Sequence, residues 1–312
     1  MSYTNTDTNT AESEWNYSES DIAHEFLFFN VLKDGRVHVL LPPVEKVPPS
    51  FGSTVGVSIK DVEITSDVSA RILLPSSTTA QKLPVVFYIY GSGFCMRAAF
   101  SEDYTRFCSN IATEANAIVV SVEYGIFPAR PIPACYDDSW AALQWLASHG
   151  NGSGPDPWIN NHADLRRIFV GGDSAGGNIS HTLLAKVGST GLPGDANIEG
   201  MILVNPYFGE DDKMWMYMCP TNEGPTDRRM KPAVEDLGRI GCGRVLVFLA
   251  EFDALYCAGK MYTDELIKSG WKGTVEIVVN KGKDHCFHLA DYTDLEAIAI
   301  RGRIASFINN QG

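Results

Sequence analysis

No stretch of this chain approaches the 18 or so uninterrupted apolar residues of a membrane-spanning helix, so no span is predicted. Basic clusters are missing as well: no run of Lys and Arg exceeds two residues, and the formal net charge is −13. Such a surface repels phosphate backbones and anionic lipid, so neither nucleic acid nor a membrane is an expected partner. A basic amphipathic segment, which a lipase working at a lipid surface would use, is also absent. The seven cysteines (Cys95, Cys108, Cys135, Cys219, Cys242, Cys257 and Cys286) contain no CxxC pair and no metal-ligand spacing. Odd in number and scattered, they read as free thiols in a reducing compartment. The opening residues, MSYTNTDTNTAESEWNYSESD, lack the cationic start and apolar run of a secretory signal, and a cytoplasmic protein is expected.

What is present is ordinary for a globular protein: 312 residues, 45% hydrophobic and 20% charged. One α/β domain over residues 23–312 is expected behind a polar, mobile leader of residues 1–22. FLFFNVL, the turn signal in KDGRV and the alternating VEITSDVSARILLP read as antiparallel strands at a sheet edge. VVFYIY is a continuous apolar run bounded by Gly, the mark of a strand buried on both faces. AIVVSVEY, RIFVGGDS, MILVNPYF and RVLVFLAEFDAL repeat it. CYDDSWAALQWLASH and GGNISHTLLAKV have helical spacing between these runs. Strands alternating with helices predict a mostly parallel sheet flanked by helices.

The strongest local motif is Gly172-Asp173-Ser174-Ala175-Gly176, between a strand and a helix. Small residues at both ends allow the sharp turn that exposes a serine hydroxyl, and the following helix aims its N-terminal amides at developing negative charge. A serine is inert near neutral pH without a base, so a histidine and an acid are required downstream. Asp253 follows the run VLVFLAEF and His285 follows VEIVVNKGK, in the order Ser, Asp, His, each at a strand's carboxyl end. Ligands bind at that edge in open α/β sheets. His288 is the rival base; Asp284 and Glu251 are rival acids. His149, His162 and His181 read as capping or surface groups, no metal set forms, and no cofactor is implied.

The stretches LKDGRV, LPVVFYIYGSGFC, VSVEY, IPACYDDSWAALQWLASH, DPWINNHADLRRIFVGGDSAGGNISH, SGWKGTVEI and GKDHCFHL resemble the plant carboxylesterases of the hormone-sensitive-lipase-like group, over about residues 25–307. The resemblance implies the α/β-hydrolase fold, with Ser174 as nucleophile, Asp253 from an (A/S)-E-x-D strand end and His285 from a G-x-x-H-x-F motif. It also implies an oxyanion hole made by the amides of Ser92, Gly93 and Ala175. Two departures stand out. Where the group carries His-Gly-Gly-Gly, this chain has Tyr90-Gly91-Ser92-Gly93, and Tyr124-Gly-Ile-Phe-Pro-Ala129 replaces Tyr-Arg-Leu-Ala-Pro-Glu. The connection after Asn205-Pro206-Tyr207-Phe208 is short, so a reduced lid is expected, from about 23–50 and 209–232. Tyr90, Phe94 and Trp215 are candidate pocket residues, with packed core the preferred reading for Tyr90 and for the Met/Trp/Tyr-rich piece around Trp215.

The resemblance implies hydrolysis of a small apolar ester of a plant specialised metabolite; a monomer or homodimer is expected. The same group holds 2-hydroxyisoflavanone dehydratases and indole-alkaloid cyclases and esterases, so elimination or cyclisation is the alternative, in isoflavonoid or alkaloid metabolism. Gibberellin receptors resemble the group too, but they lack the histidine that stands here as His285.

Overall fold

The computed structural model describes residues 17–42, 44–52, 56–76 and 81–310. Most of the polar leader expected over 1–22 lies outside the described residues. The chain divides into two compact units, Met1–Val44 and Glu45–Gly312.

In the first unit, β1 (Ile22–Glu25), β2 (Phe29–Leu32) and β3 (Val37–Val39) form a three-stranded antiparallel sheet in that order. Asp34 and Gly35 make the turn: Gly35 takes φ +88°, which favours a residue without Cβ, and Asp34 Oδ1 accepts the Arg36 amide at 3.0 Å. The antiparallel reading of this stretch holds, but these strands form a sheet of their own rather than the edge of the larger one. A tight turn pairs neighbouring strands locally, whichever sheet they end in.

The second unit holds β4 (Val57–Glu63), β5 (Ser69–Pro75), β6 (Leu83–Ile89), β7 (Ile118–Glu123), β8 (Ala163–Asp173), β9 (Ile198–Val204), β10 (Arg244–Ala250) and β11 (Thr274–Asn280). They form one sheet in the order β11-β10-β9-β8-β6-β7-β5-β4. Six strands, β6 to β11, pair in parallel, and β5 and β4 close one side antiparallel, as their alternating sequence predicts. Every residue of β6 is buried, the consequence of layers on both faces. The helices are α1 (Glu102–Ala115), α2 (Ala134–Ala147), α3 (Pro157–His162), α4 (Ala175–Thr190), α5 (Lys213–Met218), α6 (Val234–Leu237), α7 (Tyr256–Lys268), α8 (Phe287–Ala290) and α9 (Leu295–Asn309). Among the described residues, no helix is long and apolar enough to cross a membrane.

The connections from β6 to α1, from β8 to α4 and from β11 to α8 all leave the carboxyl edge of the parallel sheet. The fold thereby gathers residues far apart in sequence at one rim.

Candidate active site

Ser174 sits between the last residue of β8 and the first of α4, at φ 50° and ψ −119°. A non-glycine residue rarely adopts such a backbone and needs its surroundings to enforce it. The enforcement is visible. The Ser174 amide donates to the Val204 carbonyl of β9 at 2.9 Å, and its carbonyl accepts the amides of Gly177 at 3.0 Å and Tyr207 at 2.9 Å. A Cβ on Gly172 or Gly176 would collide with the carbonyl oxygen of Ile89 at the end of β6. The spacing Gly-x-Ser-x-Gly is therefore a packing requirement here: two adjacent strands meet the new helix with no room for a methyl group.

The structure brings the three residues singled out in the sequence together. His285 Nε2 lies 2.9 Å from Ser174 Oγ, and His285 Nδ1 lies 2.7 Å from Asp253 Oδ2. The Asp253 side chain is 2% exposed, and its other oxygen accepts the Leu255 amide at 2.8 Å. With a carboxylate facing Nδ1, that nitrogen carries the proton and Nε2 is left to accept from the serine hydroxyl.

The rivals are occupied elsewhere. His288 is buried against Phe107, with ring centroids 4.9 Å apart, and neither of its nitrogens has a hydrogen-bond partner among the described residues. Asp284 accepts the amide of His285 itself at 2.7 Å, and Glu251 accepts the Gly282 amide at 2.8 Å. His149 does act in capping, accepting the Asp156 amide on Nε2 at 2.9 Å. His181 corrects the expectation of a surface or capping group: it is buried, with Nδ1 3.0 Å from the Tyr262 hydroxyl. Its position on the inner face of α4 explains this.

Beside Ser174 runs the loop Gly91-Ser92-Gly93-Phe94. It lies so close that a Cβ on Gly91 would overlap the Asp173 carboxylate and come within 2.9 Å of Ser174 Cβ. The amides of Ser92 and Gly93, and that of Ala175 at the start of α4, donate to no group among the described residues. The Ser92 hydroxyl stands 3.3 Å from that of Tyr124, which itself donates to the Tyr90 carbonyl at 2.9 Å.

Tyr90 is fully buried, its ring stacked on Tyr124 at 4.3 Å and its hydroxyl donating to the Tyr124 carbonyl at 3.4 Å. It packs the loop. Phe94 is buried edge-on to Tyr207 at 5.8 Å, and its carbonyl accepts the Phe127 amide at 3.0 Å. That bond ties the loop to the departed Tyr124–Ala129 segment. Trp215 is 1% exposed within α5, whose first turn is capped by Asp212 accepting the Trp215 amide at 2.8 Å. Of the two readings open for it, packed core is the one its burial fits.

Sequence reading passed over Asp173, Tyr88 and Tyr104, all buried, and the half-buried Cys286, which cluster around the carboxylate next to Ser174 in the chain. The available signal was a charged residue inside the nucleophile motif; its partners lie about 70 to 113 positions away.

A strand-turn-helix serine with a histidine and an aspartate at neighbouring strand ends defines a class before any relative is consulted. A profile of the alpha/beta hydrolase fold family matches residues 86–213 and 209–289. The chain is 36% identical to probable carboxylesterase 7 of Arabidopsis thaliana, over 90% of this chain and 96% of that protein. It is 35% identical to a 2-hydroxyisoflavanone dehydratase of Glycyrrhiza echinata, over 89% of this chain and 93% of that one. Among solved structures, an esterase of Pyrobaculum calidifontis superposes with a TM-score of 0.68 at 22% identity, over 83% of this chain and 87% of that one, a likeness of fold. The chain belongs to the α/β-hydrolase family, in its plant carboxylesterase group, and so ranks among the carboxylic ester hydrolases.

Proposed function

We propose that this protein is a serine carboxylesterase that cleaves a small carboxylic ester of a plant specialised metabolite through Ser174, His285 and Asp253. The observation that carries the proposal is the unbroken relay of 2.9 Å and 2.7 Å from Ser174 Oγ through His285 to Asp253.

In this reading Ser174 Oγ attacks the ester carbonyl while His285 Nε2 takes its proton, and Asp253 steadies the resulting imidazolium. The carbonyl oxygen becomes an oxyanion facing the amides of Ser92, Gly93 and Ala175, whose freedom from other partners supports that role. Each such donor is worth about 2.7 to 4 kcal/mol in the barrier. Amides donate whatever the side chain, so Ser92 in place of glycine is compatible with the hole. His285 then protonates the departing alcohol, the acyl group remains on Ser174, and water activated by the same histidine releases it. The buried aromatic rings of Phe94, in the loop that begins at Gly91, and Tyr207, whose amide donates to the Ser174 carbonyl, support an apolar acyl group. Seven unpaired cysteines support a reducing compartment such as the cytoplasm.

The relative named as a 2-hydroxyisoflavanone dehydratase supports a second reading, elimination in the same pocket, with His285 as base and no covalent intermediate on Ser174. Hydrolysis of p-nitrophenyl acetate and butyrate by the purified protein and by Ser174→Ala separates the two. The expected result is turnover that falls by more than about 1000-fold in the variant. Absent turnover, or turnover untouched by Ser174→Ala, transfers the assignment to elimination.

A further inference from the structure

We propose that Asp173 is a positioning residue for this hydrolysis, its carboxylate fastening the backbone at Gly91 to the turn that carries Ser174 and, through Cys286, to the loop that carries His285. The inference rests on the serine-esterase reading above and names what holds its parts in register.

Asp173 is 1% exposed and lies at the end of β8, one residue before the nucleophile. Its Oδ1 accepts the Tyr88 hydroxyl at 2.8 Å and the Gly91 amide at 3.1 Å; its Oδ2 accepts the Tyr104 hydroxyl at 2.8 Å and the Cys286 thiol at 3.6 Å. These four donors come from four places: β6, the loop after it, α1, and the residue following His285. The Tyr104 hydroxyl, donating to Asp173, also accepts the Gly91 amide at 3.0 Å and so touches the same loop.

No Lys, Arg or His among the described residues makes an ion pair with Asp173. A buried charge without a counter-ion is costly, and here only directed hydrogen bonds offset the cost. The donors are suited to it. Burial, and then the Asp173 charge, push the Tyr104 hydroxyl well above the usual tyrosine range, and the same two causes raise the Cys286 thiol. Burial likewise raises Tyr88. All three therefore keep their protons wherever the esterase works and go on donating.

The consequence lies in the next two residues. Ser92 and Gly93 carry two of the three free amides, and Gly91 is the point at which their loop touches the nucleophile turn. Amides must be aimed to within about 0.5 Å of the developing oxyanion to be effective. An anchor one residue away limits their drift, and because they act on the transition state, loosening it lowers kcat rather than raising KM.

The test uses two variants that preserve volume. Tyr104→Phe removes one hydroxyl and leaves the ring; Asp173→Asn leaves one acceptor oxygen and abolishes the charge. For p-nitrophenyl acetate, kcat is expected to fall about 10-fold in Tyr104→Phe and about 100-fold in Asp173→Asn, with KM within about twofold. Both should melt within about 4 °C of the parent. Phosphonylation of Ser174 by a p-nitrophenyl phosphonate, whose P=O group needs the same amides, should slow by matching factors. Unchanged kcat and phosphonylation in both variants would overturn the proposal. So would losses accompanied by a large fall in melting temperature or a matching rise in KM, which would mark Asp173 as packing alone. Failure of the underlying reading looks different: the parent would then show no turnover, or turnover would persist in Ser174→Ala, whatever Asp173 does.

Discussion

Gly172 and Gly176 show how little freedom a single position has in this site. Each faces the carbonyl oxygen of Ile89, so the obstacle is backbone in the middle of a sheet and cannot swing aside. Gly176→Ala is expected to destabilise the protein by about 3 kcal/mol and to displace Ser174 from His285, so that urea midpoint and esterase activity fall together. The motif was legible because its chemistry and its packing demand the same residues at the same spacing. Asp253 and His285 were legible from their places at strand ends and from order along the chain; the choice of His285 over His288, three residues on, came from the resemblance, and His285 Nε2 stands 2.9 Å from Ser174 Oγ. The cluster around Asp173 was illegible for a different reason. Tyr88 and Tyr104 are unremarkable residues in an apolar strand and an amphipathic helix, and only the fold brings both hydroxyls to one carboxylate.

At the scale of elements, the parallel strands could be read because burial on both faces leaves continuous apolar runs, whereas pairing across the antiparallel side could not. Asp61 of β4 stands directly opposite Arg71 of β5. The Arg71 side chain is 1% exposed, and Asp61 holds it with both oxygens, at 2.7 and 2.9 Å. The guanidinium also donates to Thr105 of α1 at 2.7 Å and to the Val47 carbonyl at 2.8 Å. One cation thus joins two strands to the helix that carries Tyr104. Sequence alternation placed β4 and β5 beside each other but left the partner of Arg71 open, since register is fixed only when the pleat is built. Removing one member of a buried pair strands the other charge, at a usual cost of about 3 to 5 kcal/mol. Asp61 is about one-third exposed, so water relieves part of that. Asp61→Ala is accordingly expected to cost about 2 kcal/mol in urea unfolding, with little change in KM.

For the molecule as a whole, acid sensitivity follows from two histidines that the site does not use. Burial depresses both His181 and His288 from 6.5 to about 4. Between those values the unfolded chain binds protons that the folded chain refuses, so stability is complete above about pH 6.5 and is lost as pH falls toward 4. A shift of this size corresponds to about 3 kcal/mol for each ring. The chain's net charge of −13 acts in the opposite sense, because acid relieves self-repulsion, but that repulsion is spread over a screened surface while each histidine must be charged inside the core. The local effect should win, and the urea midpoint should drop between pH 7.5 and pH 4.5. His288 isolates the cause, since neither ring nitrogen has a hydrogen-bond partner among the described residues and an apolar replacement keeps a packing contact with Phe107. In His288→Met the parent and variant should differ little at pH 7.5 and by about 2 to 3 kcal/mol at pH 4.5, in favour of the variant. Parallel stability curves across that range would place the acid sensitivity elsewhere, in the carboxylates whose hydrogen bonds hold them below the usual range, such as Asp227 with Arg229.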